Sequence, residues 1–211
     1  MTPRDPEPHA RYARLADAAT LEQVAEALRG NLIEAVVVDG PAAARREVLD
    51  RVPAGAAVLT ATSRTLDACG ITAELETSGR YRALRPIYLA MDRATQRDEI
   101  RRLRSAPDWV VGSVHAITHR GELVIASQTG SQLGSYVYGA GHVIWVVGAQ
   151  KVVADLDEGL RRIEEYAFPL EDRRSREAYG TPSGINKLLV INREPRSRRS
   201  TVILLREEAG F

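Results

Sequence analysis

The chain has 211 residues, 44% of them hydrophobic and 27% charged, with 29 Lys+Arg against 28 Asp+Glu. That balance excludes wholesale disorder and a collagen-like repeat, and a net charge of +1 leaves no global field to draw in nucleic acid or an anionic membrane. One cysteine makes neither an internal disulfide nor a cysteine zinc cluster, and no stretch reaches the roughly 18 apolar residues of a membrane helix.

Residues 1–15 carry Pro3, Pro6 and Pro8 among charges and predict an unpaired, flexible tail with no signal peptide, ahead of one domain over 16–211 in a cytoplasmic protein. The apolar spacing predicts a helix over 21–29, capped by Thr20 with Gln23 and stopped by Gly30. Ile33–Asp39 is β-branched and apolar, a strand buried on both faces; Pro41 opens a helix through Leu49. Ala56–Ala61 predicts a second buried strand, and Ser63 caps a short helix ended by Gly70. Pro86–Ala90 then reads as a strand, and Asp92 as the cap of a charged helix over 93–104.

Trp109–Gly112 is the next strand, followed by a hairpin from Ala116–Thr118 and Leu123–Ala126, an antiparallel excursion in an alternating chain. His142–Gly148 is a further buried strand. Asp155 caps a helix with Leu156, Leu160, Ile163 and Ala167 on one face, and strands over 187–192 and 201–205 close the pattern. The alternation predicts a three-layer, Rossmann-like α/β domain: a mostly parallel sheet with helices on both faces.

In such sheets ligands bind beyond the carboxyl ends of the strands. Three polar segments fall there. Thr62, Ser63, Arg64 and Thr65 offer hydroxyls and a guanidinium to a phosphate or carboxylate. Ser113 and His115 follow the Trp109 strand, His115 as a candidate proton carrier. Thr129, Gly130, Ser131 and Gln132 let a ligand approach the backbone, and Asn186 with Lys187 precede an apolar strand. His115 and His119 lie in a strand-like stretch without the zinc-protease arrangement, so no metal site is expected. The Arg193–Arg199 loop has no interleaved aromatics, so no nucleic-acid partner is expected either.

From WVVGSVHAITHRGELVIASQTG onward (residues 109–174, 184–194 and 202–211) the chain resembles the LUD domain family of lactate utilisation proteins, most of all its short, stand-alone branch. The resemblance implies a fold like that of the pentose-phosphate isomerase, glucosamine-phosphate deaminase and coenzyme A transferase superfamily. It implies a small phosphorylated or carboxylated ligand, a homo-oligomer or partner subunits of a lactate-oxidising system, and names no cofactor. Where short members carry Gly-Gly-Ser, this chain has Ala61-Thr62-Ser63. Coenzyme A transferases use a glutamate nucleophile, for which Glu122, directly after the Thr118–Gly121 turn, is the nearest carboxylate, a second candidate catalytic residue with His115. A single cysteine holds no iron–sulfur cluster, so the alternative to an enzyme is an accessory or ligand-sensing subunit of an iron–sulfur lactate-oxidising system.

Overall fold

The β-branched runs set the architecture. A computed structural model, which describes residues 7–211, lines six strands into one fully parallel sheet of order β1-β10-β7-β4-β2-β3. These are β1 (Glu34–Val38), β2 (Ala57–Thr60), β3 (Arg82–Ala83), β4 (Trp109–Gly112), β7 (His142–Gly148) and β10 (Ser200–Leu205). A second sheet, of order β8-β5-β6-β9, holds β5 (Ala116–Thr118), β6 (Leu123–Ser127), β8 (Val152–Val153) and β9 (Lys187–Ile191).

Alternate residues of the central strands feed two separate cores. Val143, Trp145, Val147, Val202 and Leu204 join one; Ile144, Val146, Ile203 and Leu205 join the other. The first core receives Leu21, Val24 and Leu28 from α1 (Ala18–Gly30), and Ile117, Leu123 and Ile125 from the small sheet. The second receives Ala44 and Val48 from α2 (Pro41–Arg51), Leu66 from α3 (Arg64–Ala68), and Ile71 and Leu75 from α4 (Ile71–Thr77). Burial on both faces is why β7 and β10 read as unbroken apolar runs. The outer residues of the small sheet, Ala116, Val124 and Val153, pack on Leu156 and Leu160 of α7 (Leu156–Arg162) and on Ile163. From there the helix runs on through a π-type turn into α8 (Phe168–Tyr179).

Several expectations change in detail. The first helix begins at Ala18 because Asp17, not Thr20, is its cap: Asp17 Oδ1 accepts from Thr20 N at 2.7 Å. We expect Asp17→Ala to lower stability by about 1 kcal/mol in urea denaturation, with Thr20→Ala nearly neutral. Pro86–Ala90 is not a strand but lies in α5 (Leu84–Leu89) and its C-cap, since proline in a first helical turn forfeits no hydrogen bond. Asp92 closes a turn with Ala94 N and Thr95 Oγ1, both at 2.8 Å, so α6 (Arg97–Ser105) starts later than expected. β1 is an edge strand, half-buried rather than sealed on both faces. Of the expected tail, residues 1–6 lie outside the described residues. Beyond them, His9 N donates to Glu165 O at 2.8 Å and Tyr12 is buried beside Tyr166. Among the described residues no helix is long and apolar enough to cross a membrane.

Candidate functional site

Because the main sheet is parallel, every strand delivers its carboxyl end to one side. There β2 hands over to Ala61–Thr65, β4 to Ser113 and Val114, and β7 to Ala149–Lys151. Lys151 stands where these meet. It is 1% exposed, and its Nζ donates to Thr65 Oγ1 at 2.9 Å, Ser113 Oγ at 3.1 Å and Val114 O at 3.2 Å. Among the described residues no carboxylate pairs with it. Burial pushes its amine well below the ordinary lysine value, and the Arg162 charge adds to the effect. Lys151 and Lys187 are the only lysines among the 29 basic residues, and the three acceptors around Lys151 Nζ match the three donors of an ammonium.

Arg162, at the end of α7, is wholly buried. Its Nε donates to Gln150 O at 3.1 Å and its Nη1 to His115 O, while Nη2 has no partner. The guanidinium lies 5.0 Å from the Tyr166 ring centre, and burial brings it down to about 10. The two cations thus grip neighbouring links of the same backbone, Val114 and His115; among the described residues neither forms a salt bridge, and Glu208 acts on Arg162 only at longer range.

His115 sits against this pair. Its Nδ1 accepts from Ala126 N at 3.1 Å, and burial first, then the Lys151 and Arg162 charges, lower it to about 3. At neutral pH it is therefore an uncharged ring, with Nδ1 taken by Ala126 N and its proton on Nε2. Burial lifts the Cys69 thiol to about 11, so it is inert. The segment Ala209–Gly210 straps the same region. Ala209 O accepts from Thr65 Oγ1 at 2.9 Å and from Gln150 Nε2 at 3.2 Å, and Gly210 O from Gln150 Nε2 at 2.9 Å. Gly210 has φ +63°, and a Cβ there would stand 2.6 Å from Thr65 N. Two shallow concavities lie elsewhere, one beside Ala57, Arg82 and Leu103, the other beside Leu32 and Arg193.

The remaining expected site residues divide. Ser63 caps α3 through Leu66 N at 3.4 Å, exposed Arg64 pairs with Asp67 at 3.7 Å, and Thr62 Oγ1 accepts from Arg85 Nη2 at 3.5 Å. Thr129, Gly130, Ser131 and Gln132 form a second cluster with Lys187, which is opposite Ser127 in the β6–β9 pairing. Gly130 N donates to Ser127 Oγ at 2.9 Å, Thr129 Oγ1 to Ser131 Oγ at 3.0 Å, and Ser127 Oγ to Gln132 Oε1 at 3.2 Å. A Cβ at Gly130, φ +77°, would fall 2.5 Å from Lys187 Cδ, so the lysine stem lies along this turn. Asn186 is exposed just before β9.

Glu122 is elsewhere. It accepts from Thr118 Oγ1 at 2.7 Å in the β5–β6 turn, and that turn rests on the C-terminus of α1 through Asn31 Nδ2 to Arg120 O, 2.9 Å. The hairpin register sets Glu122 opposite Thr118, whereas His115 faces Val124 and Ala126, so Glu122 and His115 are not brought together. Among the described residues no three His, Cys, Asp or Glu side chains gather to hold a metal. In the arginine loop, Arg199 is occupied with Glu194 at 2.8 Å and with the Ser135 and Tyr136 carbonyls.

Lys151 and Arg162 were not singled out from sequence, though signals exist. Lys151 interrupts an apolar stretch, Ala149 to Ala154, directly after the strongest strand. Arg162 lies at helical spacing from Gly159 and Tyr166, within the face that turns inward.

A family model, the LUD domain, matches residues 21–203. Among solved structures, a crystal structure of a DUF162 family protein from Deinococcus radiodurans is similar. It is 14% identical, with a TM-score of 0.57 over 91% of this chain and 99% of that one, a likeness of fold. No curated protein matches.

Proposed function

The chain belongs to the LUD domain family, which is associated with lactate utilisation, and on that premise we propose that it binds a small carboxylated or phosphorylated metabolite beyond the carboxyl ends of β2, β4 and β7. The observation that carries this reading is the pair of buried cations, Lys151 and Arg162, neither in a salt bridge among the described residues, with Arg162 Nη2 left without a hydrogen-bond partner. An anionic ligand is the counter-charge such a pair favours. Thr65 and Ser113 supply hydroxyls to its oxygens, and His115 Nε2–H a neutral donor. The Lys187 cluster gives the far end of a longer metabolite a second cation.

The test is a thermal shift of the purified protein against lactate, pyruvate, inorganic phosphate and sugar phosphates. A ligand at 100 times its Kd adds about 2.7 kcal/mol. We expect a clear rise in Tm with one of these anions, and its loss in Lys151→Met, which stays folded because the methionine fills the same space without a buried amine. A flat response overturns the reading. It would turn attention to a partner subunit, for which Val137 and Tyr138, 55% and 89% exposed side by side, offer one apolar surface.

A further inference from the structure

We infer that β9 pairs antiparallel with β9 of a second copy of the chain, about a twofold axis through Leu189, so that the two small sheets join edge to edge. The backbone alternation carries this. His115 N donates to Val124 O, and Ala126 N to His115 Nδ1, so Val124 and Ala126 turn their backbone groups toward β5. Leu123, Ile125 and Ser127 then turn theirs toward β9, where they stand opposite Ile191, Leu189 and Lys187. The N–H and C=O of Leu188 and Val190 therefore face the open side of an edge strand. On the faces of β9, Leu189 and Ile191 pack on the first core, while Leu188 and Val190 lie beside Ala126 and Val124 and are 50% and 39% exposed.

The other sheet edges are blunted. β3 and β8 are two residues long, and in β1 the carbonyl of Ala35 accepts from Arg29 Nε at 3.3 Å and Nη2 at 2.9 Å. β9 runs for five residues without proline, its single charge, Lys187, standing at one end. The strand also matches itself, which selects a second copy as its occupant. An axis at Leu189 sets Leu188 against Val190 of the other copy, an apolar cross-strand pair made twice. These are the residues whose N–H and C=O face outward, so each pair exchanges both hydrogen bonds. Lys187 comes opposite Ile191 of the other copy, which leaves the two ammonium groups about 14 Å apart along the strands, whereas a parallel copy would stack them. A strand pair of this length buries less than a standard interface, so the dimer builds up with concentration.

The experiment is sedimentation velocity on the whole chain from about 5 to 500 μM, the range in which small interfaces associate. We expect the dimer fraction to climb across the series, and Val190→Pro to weaken association at least about tenfold. That proline keeps the bonds to β6, because the N–H it removes faces outward. Leu189→Cys reads the register, being the one β9 position that meets itself across the axis. A non-hydrogen-bonded pair there sets its Cα atoms about 4.5 Å apart, within disulfide reach. Mild oxidation should crosslink Leu189→Cys into a dimer much faster than Val137→Cys, which samples another exposed apolar surface; the native Cys69 is buried. A monomer at every concentration overturns the inference. So does association that Val190→Pro leaves unchanged, or crosslinking of Val137→Cys as fast as of Leu189→Cys. If the proline variant does not fold, the crosslinking decides.

Discussion

Replacing Arg162 by alanine should lower the unfolding free energy by about 3 kcal/mol in urea denaturation. The residue pairs with no carboxylate among the described residues, so its loss orphans no charge. It does orphan the carbonyls of Gln150 and His115, which accept from Nε and Nη1. Each buried carbonyl left unbonded costs about 1–3 kcal/mol, and the emptied volume beneath Tyr166 adds a cavity term. Relief of guanidinium desolvation offsets part of this, which keeps the figure below that sum. A loss under about 1 kcal/mol would show that water reaches both carbonyls and that the cation is not sealed. The same substitution should raise the Lys151 amine toward its ordinary value, because Arg162 repels the proton there.

Acid should destabilise the protein through His115, and His115→Asn should blunt the effect. The ring titrates at about 3 in the folded chain against 6.5 as an ordinary histidine. Between those values the unfolded chain binds a proton that the folded one refuses. Stability is therefore full above 6.5 and falls as the pH drops toward 3, by up to about 1.4 kcal/mol per pH unit. Asparagine keeps an acceptor for Ala126 N and does not titrate. Near pH 4.5 the wild type should have lost about 2 kcal/mol more than the variant, relative to pH 7. Carboxylates such as Asp17 and Asp172, held low by their hydrogen bonds, also weaken in acid but cancel in this difference. Parallel acid limbs would mean that solvent charges His115 in the folded state.

The fold was legible because its signals are long-range in kind but local in sequence. Runs such as 143–148, after the exposed His142, are apolar throughout, which only a strand covered on both faces tolerates. Asp155 announced its helix because a cap acts on amides three residues away, here Glu158 N at 2.9 Å. Pro86 misled because its meaning depends on whether the following residues turn, and that is settled by Leu84 and Tyr88 packing into the first core. The site was legible only in part. Thr65 and Ser113 were visible as polar residues after strands, but nothing local says that one amine joins them. Lys151 looks like any surface lysine until β7 is known to end in the interior, and Arg162 like any helix-terminal cation. Glu122 was the carboxylate nearest the Thr118–Gly121 turn, and the hairpin sets it beside Thr118 rather than His115.

The order β1-β10-β7 bears on how the molecule is made. β10 lies between a strand from residues 34–38 and one from residues 142–148, pairing with both along its length. On the ribosome, every other strand of the main sheet emerges before the one that joins its two halves. Until residue 205 leaves the exit tunnel, β1 and β7 each present a bare parallel edge to solvent or to a chaperone. Synthesis stalled just before that point leaves β1 unpaired beside the four-stranded sheet β7-β4-β2-β3, so full nascent-chain protease protection should appear late.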